Sequence, residues 1–551
     1  MKRGKFIVLN PRILLFLLCS LGVAGCLFAW NLKIDDSYIT YRFGQRLAEY
    51  GNLNWNFGSA VEGYTSFLSV LISALFIKLG FDPLLGFKIL SLVLVVATAC
   101  LFYQAAHIYT RGRSSLAALI FPALFLFNPL TWLHAMSGME TILFTFVLVL
   151  QCYLYFYLSF SRFDNRILAL LCFVSFLSGL ARPEGGLWSL FVITGLLASQ
   201  PQKRVPVLVF ALALFIIPGI LYFLWRWNYF QLFLPNTFYV KGNGLLTGSF
   251  PSDWILKDLP KFLVGFLFLY GFLSIYVQDE KSLIFKSLFR TRTEFLVLGG
   301  VLCVAYYSTT TMLMGYGIRF VYPFYQVLLV TFAIPIFAGV VIQRQSQDSV
   351  EGKSSVERLI TWKLSVALGL SFLLYFGFMA RLGVETWPIL RGNNVSLDGY
   401  KRMGLALESV SNQCGSSHLT LYHHNMGELM YYAKSWNSLD AVGLLDTHIS
   451  RFGLTADYIF EVEPDLLILP SKSRQMITRY RGEIYDDISR FLVVDFRIRD
   501  YDYVGFSAFD EFDAGTVYFF VRKSTSERCD PISDDLRASL NLSSSGYLIE
   551  R

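Results

Sequence analysis

Two adjacent aspartates, Asp35 and Asp36, follow the first apolar block of the sequence, in the stretch DDSYITYR at 35–42. Neighbouring carboxylates repel each other, and each costs free energy to remove from water near a membrane. A carboxylate held at such a surface can act as a general base that takes a proton from a hydroxyl group. The structural alternative is that Asp35 or Asp36 caps a helix running to Tyr50, because aspartate is a preferred N-cap residue. Both interpretations stay open on these residues alone.

Other charged and polar motifs occur at the ends of further apolar blocks. They are VEGYT at 61–65, SGMET at 137–141, RPEG at 182–185, LPNTFYVK at 234–241 and GYGIRF at 315–320. Taken singly, each is explained as a helix cap, a snorkelling cation or an interface anchor. Taken together, they indicate a polar cavity at the lipid headgroup level that holds both acids and bases. Such a cavity suits an anionic substrate.

Membrane-spanning helices are the elements that must position these motifs. Only 16% of the residues are charged and 54% are hydrophobic, whereas soluble domains carry roughly 25% charge. The apolar residues form blocks of about 15–25 residues, the length that crosses a bilayer. The net charge of +7 is spread over short Lys/Arg clusters between these blocks, which follows the positive-inside rule and argues against nucleic-acid binding.

The basic clusters also predict the topology. With all of them in the cytoplasm, about eleven crossings result, with the N-terminus inside and the C-terminus outside a bacterial inner membrane. The predicted crossings are 13–30, 84–106, 115–131, 141–160, 167–181, 187–200, 206–225, 261–277, 294–311, 321–342 and 362–380. The apolar block at 64–80 is instead assigned to an amphipathic or re-entrant helix on the outer face, because counting it as a crossing would place Arg111 and Arg113 outside.

The sequence therefore predicts two domains. Residues 1–380 form a helical membrane module with an outer loop at 31–83. Residues 381–551 are more polar and form an extracytoplasmic α/β domain, with strands at 419–422, 466–469, 491–494 and 517–521 and a helix at 427–434. Cys414 and Cys529 lie in this domain, and an oxidising compartment would allow them to form a disulfide.

The order of these motifs resembles that of GT-C superfamily glycosyltransferases. The closer similarity is to the branch of mycobacterial terminal arabinofuranosyltransferases and their uncharacterised bacterial relatives. The motifs above carry it, together with MGELMYY at 426–432 and LDAVGLLD at 439–446. The chain departs from the family pattern at Ser66, Gly317 and Ile318, so the resemblance does not identify the sugar.

The resemblance implies a GT-C-like fold and the transfer of a sugar from a polyprenyl-phosphate donor. The acceptor would be a glycan, lipid or protein of the cell envelope, and the anomeric centre would be inverted. Asp36 is the first candidate for the general base and Asp35 the second. The candidate ligands of the donor phosphate are cations, namely Arg182, Lys241, Arg319 and Arg42. The candidates for sugar or acceptor binding are Glu62, Tyr64, Glu140, Glu184 and Asn236. No metal ligand is assigned, and a divalent cation stays open as a cofactor.

Two other classes of function fit the same composition. A transporter or flippase of lipid-linked sugars predicts internal repeats and helices broken near mid-membrane, whereas the ionisable groups here cluster at one boundary. A non-catalytic glycan-binding scaffold would tolerate Asp36→Ala. Aromatic residues such as Trp55, Tyr64 and Trp132 suit sugar stacking and interface anchoring equally.

Overall fold

The computed structural model describes residues 10–58, 60–110, 112, 115–161, 163–241, 292–308, 319–335, 337–338, 395–415, 418–471, 492, 495–507, 516–529 and 532–542. The predicted crossings at 261–277 and 362–380, most of the predicted strand at 491–494 and residues 315–318 lie outside these ranges.

The chain is mostly helical, with a small sheet near its C-terminus. Its helices are α1 (Pro11–Phe28), α2 (Asp35–Tyr50), α3 (Phe67–Lys78), α4 (Pro83–Tyr109), α5 (Ile120–Leu126), α6 (Pro129–Met136), α7 (Thr141–Phe160), α8 (Asn165–Ala181), α9 (Pro183–Ser199), α10 (Arg204–Ala211), α11 (Ile217–Phe230), α12 (Asn236–Lys241), α13 (Glu294–Ser308), α14 (Tyr322–Leu328), α15 (Val395–Gln413), α16 (Glu428–Tyr432), α17 (Thr447–Phe452), α18 (Ala456–Val462), α19 (Lys523–Arg528) and α20 (Ile532–Leu540). The strands are β1 (Thr420–His423), β2 (Asn437–Asp440), β3 (Leu466–Ser471), β4 (Tyr501–Ser507) and β5 (Thr516–Arg522).

The chain divides into two compact units. Unit 1 comprises Met1–Trp30, Phe87–Trp225 and Gly244–Leu390, and unit 2 comprises Asn31–Gly86, Arg226–Asn243 and Arg391–Arg551. The predicted outer loop is thus part of the same unit as the C-terminal region.

Several helices are long and apolar enough to cross a membrane. Among the described residues these are α1, α4, α7 and the run Pro201–Phe230, which contains α10 and α11. Helices α3 and α8 and the runs Glu294–Val304 and Tyr322–Ala333 are apolar but shorter. This supports a membrane protein. The number of crossings stays a prediction.

One predicted crossing has a different form from the one expected. The block at 115–131 is not a single straight helix, because the helices at Ala117–Leu126 and Pro129–Met136 meet at 51°. The break lies at Asn128, whose side chain accepts the N–H of Leu130 and so begins a new helix. Pro129 follows and has no N–H to continue the preceding helix.

Polar side chains join three helices of unit 1. The Gln151 amide of α7 donates to the Ser175 hydroxyl of α8 at 3.0 Å and to the Ser189 hydroxyl of α9 at 2.7 Å. Hydrogen bonds of this kind, between small or polar residues, hold helices together where the surroundings are apolar.

Unit 2 contains the five-stranded sheet, in the order β2-β1-β3-β5-β4. β1 runs parallel to β2 and β3, and β5 runs antiparallel to β3 and β4. Alternate residues of β3 and β5 belong to two separate hydrophobic clusters, and both clusters are buried. Since successive side chains of a strand point to opposite faces, the central strands are covered on both sides.

Helices α2 and α3, from the predicted outer loop, pack together in unit 2. Gly44 permits this approach, because a Cβ there would lie 2.5 Å from the Ser73 hydroxyl oxygen. α3 has 12 residues and is about 18 Å long, too short for a hydrocarbon core of about 30 Å. The interpretation of the block at 64–80 as a helix that does not cross stays a prediction.

A disulfide joins Cys414, just after α15, to Cys529, just after α19, with their Cα atoms 5.2 Å apart. Both cysteines belong to unit 2. The structure therefore pairs the two cysteines that the sequence left open.

Candidate functional site

Asp35 begins α2, and its carboxylate caps a different helix, α16. Its Oδ2 accepts the N–H of Gly427 at 2.9 Å and its Oδ1 accepts that of Glu428 at 2.7 Å. These donors lie at a helix start, where backbone N–H groups lack intrahelical partners and negative charge is favoured. The expected cap on the helix running to Tyr50 is therefore wrong in its partner: Ile34 precedes α2 and makes no side-chain cap.

This environment changes the acidity of Asp35. Burial of the carboxyl raises its pKa to about 7, and the charges of Asp36 and Glu428 act in the same direction. The two backbone N–H bonds oppose this effect, because they stabilise the charged form. Both oxygens of Asp35 thus bind the backbone of α16, and the pKa of the carboxyl lies above its ordinary value.

Arg42 lies two helical turns after Asp35 and binds the other end of α16. Its guanidinium donates to the carbonyls of Met430, Ala433 (3.2 Å) and Trp436 (2.7 Å). It also lies over the Trp55 ring, 4.7 Å from the ring centroid. The side chain is buried, and a cation at a helix C-terminus is electrostatically favourable. Arg42 is therefore engaged in the fold of unit 2.

Tyrosines fill the space between these two polar contacts. Tyr38 of α2 lies 5.5 Å from Tyr431 and 6.2 Å from Tyr432, measured between ring centroids. Residues 35, 38 and 42 share one face of α2 because they are three to four positions apart. This face binds α16 along its whole length.

Asp36 is the second residue of α2 and is half-buried. Adjacent residues on a helix point about 100° apart, so its carboxylate leaves the helix in another direction from that of Asp35. The structure thus gives the two acids different surroundings, and Asp35 is the one whose two oxygens bind the backbone of α16.

Glu62 is a buried ion-pair partner. Its Oε2 lies 2.7 Å from Nε of Arg226, and its backbone carbonyl accepts the N–H of Asn236 at 3.1 Å. Burial raises the pKa of Glu62, whereas the Arg226 guanidinium lowers it. Glu62 therefore helps to fix the segment 226–241 within unit 2.

Asn236 and Tyr64, two predicted sugar-binding residues, also lie in the interior. The Asn236 amide donates to the carbonyls of Gly443 and Leu444, each at 2.9 Å, and its oxygen accepts the Ser450 hydroxyl at 2.7 Å. Tyr64 is 3% exposed, and its ring lies edge-on to Phe43. Both residues hold unit 2 together.

A separate cluster of charges lies in unit 1, where α8 meets α9. Arg182 forms ion pairs with Glu140 and Glu184, and its Nη2 donates to the Tyr307 hydroxyl at 3.2 Å. The RPEG motif suits this junction. Pro183 begins α9, and Gly185 permits the close approach to α8, because a Cβ there would lie 2.3 Å from the carbonyl oxygen of Ser178. Three predicted site residues are thus in direct contact.

Arg319 joins this cluster through an aromatic ring. Its guanidinium lies 4.7 Å from the centroid of Phe320, and that of Arg182 lies 4.8 Å from the same centroid. Arg319 is 7% exposed. Glu140 and Glu184 balance the two guanidiniums, so the four side chains carry no net formal charge.

The remaining candidates, two tryptophans and a lysine, lie in different parts of the chain. Trp55 is fully buried, and its Nε1 donates to the Ser438 hydroxyl at 2.6 Å. The Trp132 indole of unit 1 donates to the Leu126 carbonyl at 2.7 Å. Lys241 ends α12, and its side chain lies outside the described part of the structure. Within the described ranges, no group of three His, Cys, Asp or Glu side chains has the geometry to hold a metal ion.

Three further charged residues were not predicted as site residues. Lys33 forms an ion pair with Glu428, in which Nζ lies 2.8 Å from Oε1. Asp440 is buried and accepts the N–H groups of Val442 and Leu445, and burial raises its pKa to about 7. The sequence did contain a signal for the ion pair of Lys33, because a lysine two residues before adjacent aspartates is unusual in a chain with few charges.

Comparison of the sequence with models of protein families, and with curated protein sequences, finds no match.

Proposed function

We propose that this chain is a GT-C-type glycosyltransferase that uses a polyprenyl-phosphate sugar as its donor and a cell-envelope glycan, lipid or protein as its acceptor. In this proposal the chain crosses the membrane about eleven times, and residues 381–551 form an extracytoplasmic α/β domain. The apolar helices and the parallel strands β2-β1-β3 support this architecture. The order of the sequence motifs supports the activity.

One observation supports a reaction site on the non-cytoplasmic side of the membrane. The loop that bears Asp35 and Asp36 is part of unit 2, which also holds the Cys414–Cys529 disulfide. Structural disulfides persist in oxidising compartments and are rare in the cytosol. This supports an acid pair on the non-cytoplasmic side, where lipid-borne sugars on the outer leaflet are available.

The proposed step is a direct displacement at the anomeric carbon. Asp36 takes the proton from the acceptor hydroxyl as the acceptor oxygen forms its bond to the sugar. The bond from the anomeric carbon to the phosphate oxygen breaks, and polyprenyl phosphate leaves with both electrons of that bond. One displacement inverts the anomeric centre. Asp36 is preferred over Asp35 because both oxygens of Asp35 bind the backbone of α16.

The leaving phosphate requires cations or N–H donors directed at its growing negative charge. Arg182, Lys241 and Arg319 are the candidates. Arg182 also forms ion pairs with Glu140 and Glu184. The proposal does not use Arg42, which is buried and bound to backbone carbonyls.

Purified protein tests the proposal with a panel of polyprenyl-phosphate sugars and an assay for released polyprenyl phosphate. We expect Asp36→Asn to abolish turnover while donor binding is retained, because the change removes the base and keeps the shape. Asp534→Asn is the matched control, since that side chain is 85% exposed. Full activity of Asp36→Asn would remove the base assignment. Donor transport across vesicles without release of lipid phosphate would instead favour a transporter.

A further inference from the structure

Lys33 and Glu428 form an ion pair that binds the chain just before α2 to α16. Both oxygens of the Glu428 carboxylate accept from the Lys33 ammonium, at 2.8 and 3.1 Å. The Glu428 side chain is fully buried and that of Lys33 is 12% exposed. A buried carboxylate needs a charged partner, and separation of the two groups would leave an unpaired charge in the interior. The ion pair therefore holds both side chains in place.

The same glutamate is also bound through its backbone. The N–H of Glu428 donates to Asp35 at 2.7 Å, while its side chain holds Lys33. Residues 33 and 35 of one segment are therefore attached to a single residue of another. Two attachments on either side of a short stretch restrict its rotation as well as its position.

Asp36 follows this doubly attached stretch directly. Its backbone is held from the N-terminal side by the Lys33 and Asp35 contacts, and from the C-terminal side by the rest of α2. We propose that Lys33 and Glu428 are positioning residues that set the direction of the Asp36 carboxylate towards the acceptor hydroxyl. This inference rests on the proposed function, in which Asp36 is the base.

Removal of one partner should therefore impair turnover in protein that remains folded. In Lys33→Met we expect kcat to fall about 100-fold, the scale of a misplacement of about 1 Å at a reacting group. KM for the donor should change little, because no donor contact is removed. Lys33→Arg should restore most of kcat, since it returns a cation to the buried carboxylate.

Glu428→Gln is the second test of the same pair. It keeps the backbone N–H that Asp35 accepts and removes only the charge, so it should reproduce the kcat loss even if Lys33→Met fails to fold. The matched control is Lys434→Met. Lys434 also pairs with a glutamate of α2, Glu49, at 3.4 Å, but both side chains are substantially exposed, and kcat should not change.

A second readout does not depend on turnover. A cysteine at position 36 (Asp36→Cys) is labelled with a membrane-impermeant thiol reagent, with and without Lys33→Met. We expect the labelling rate to change several-fold when the ion pair is absent, and to stay the same with Lys434→Met. A Tm close to that of the wild type shows that the variant is folded.

The two proposals fail in different ways. Unchanged kcat in folded Lys33→Met and Glu428→Gln, together with an unchanged labelling rate at position 36, would overturn the positioning role and leave the glycosyltransferase proposal standing. A changed labelling rate in a protein that releases no lipid phosphate from any donor would support the ion pair as the device that orients position 36, and would overturn the proposed activity.

Discussion

At the scale of single residues, the structure separates side chains that share a chemical type. Asp35 and Asp36 are the same residue type and adjacent in the sequence, but it is the carboxylate of Asp35 that accepts the N–H groups at the start of α16. From the sequence one could predict that a buried carboxylate and a buried guanidinium each need a hydrogen-bond or ion-pair partner. One could not predict the partners of Asp35 and Arg42, which lie nearly 400 positions away in the chain, because no local pattern encodes a contact over that distance. Of the candidate site, the chemistry of the residues could be predicted from the sequence, while the contacts that each side chain makes required the fold.

The acidity of Asp35 makes a prediction about stability and pH. Its pKa rises from an ordinary value of 3.8 to about 7 in the folded protein, so between these values the folded state binds more protons than the unfolded state. Stability from this group is complete below about pH 4 and is lost as the pH rises through about 7. The Tm of the wild type should fall more steeply over that range than the Tm of Asp35→Asn. Parallel curves for the two proteins would show that Asp35 does not titrate there.

At the scale of elements, the contact between α2 and α16 depends on a glycine. A Cβ on Gly427 would lie 2.1 Å from the backbone oxygen of Asp35 and 2.4 Å from its Oδ2. Gly427→Ala should therefore push the start of α2 away and lower both Tm and kcat. Gly219→Ala is the matched control, because a Cβ there meets nothing within 4 Å, and alanine favours a helix over glycine by about 1 kcal/mol. Equal Tm and kcat in Gly427→Ala and the wild type would contradict the tight approach.

The elements also show how far a sequence predicts a fold of this kind. Long apolar blocks were predicted well: α7 has the predicted bounds of 141 and 160, and α4, β3 and β5 lie where the hydrophobic pattern placed them. Strand β2, with the sequence NSLD, was missed because four mostly polar residues carry no period that distinguishes a strand from a loop. The break at Asn128 was missed because hydropathy measures length and ignores direction, although the Asn-Pro pair was a visible signal.

At the scale of the whole molecule, the disulfide and the basic clusters predict which surfaces face outward. Tyr50 of α2 is 55% exposed, and Lys203, in a predicted cytoplasmic cluster, is exposed as well. In intact cells, Tyr50→Cys should react with an impermeant thiol reagent, whereas Lys203→Cys should react only after the membrane is permeabilised. Labelling of Tyr50→Cys solely from the cytosolic side would remove the basis of the proposed chemistry.

Unit 2 is assembled from three stretches of chain that are far apart in order of synthesis. The carboxylate of Asp35 and the backbone N–H that it caps at Glu428 are 393 positions apart. At roughly 5–20 residues per second, the ribosome needs roughly 20–80 s to make that interval. Glu428 lies in the final third of the chain. Asp35 and the helix that it begins are therefore made long before the segment that they bind. A chain released early would leave the face of α2 that binds α16 uncovered, a target for quality-control proteases.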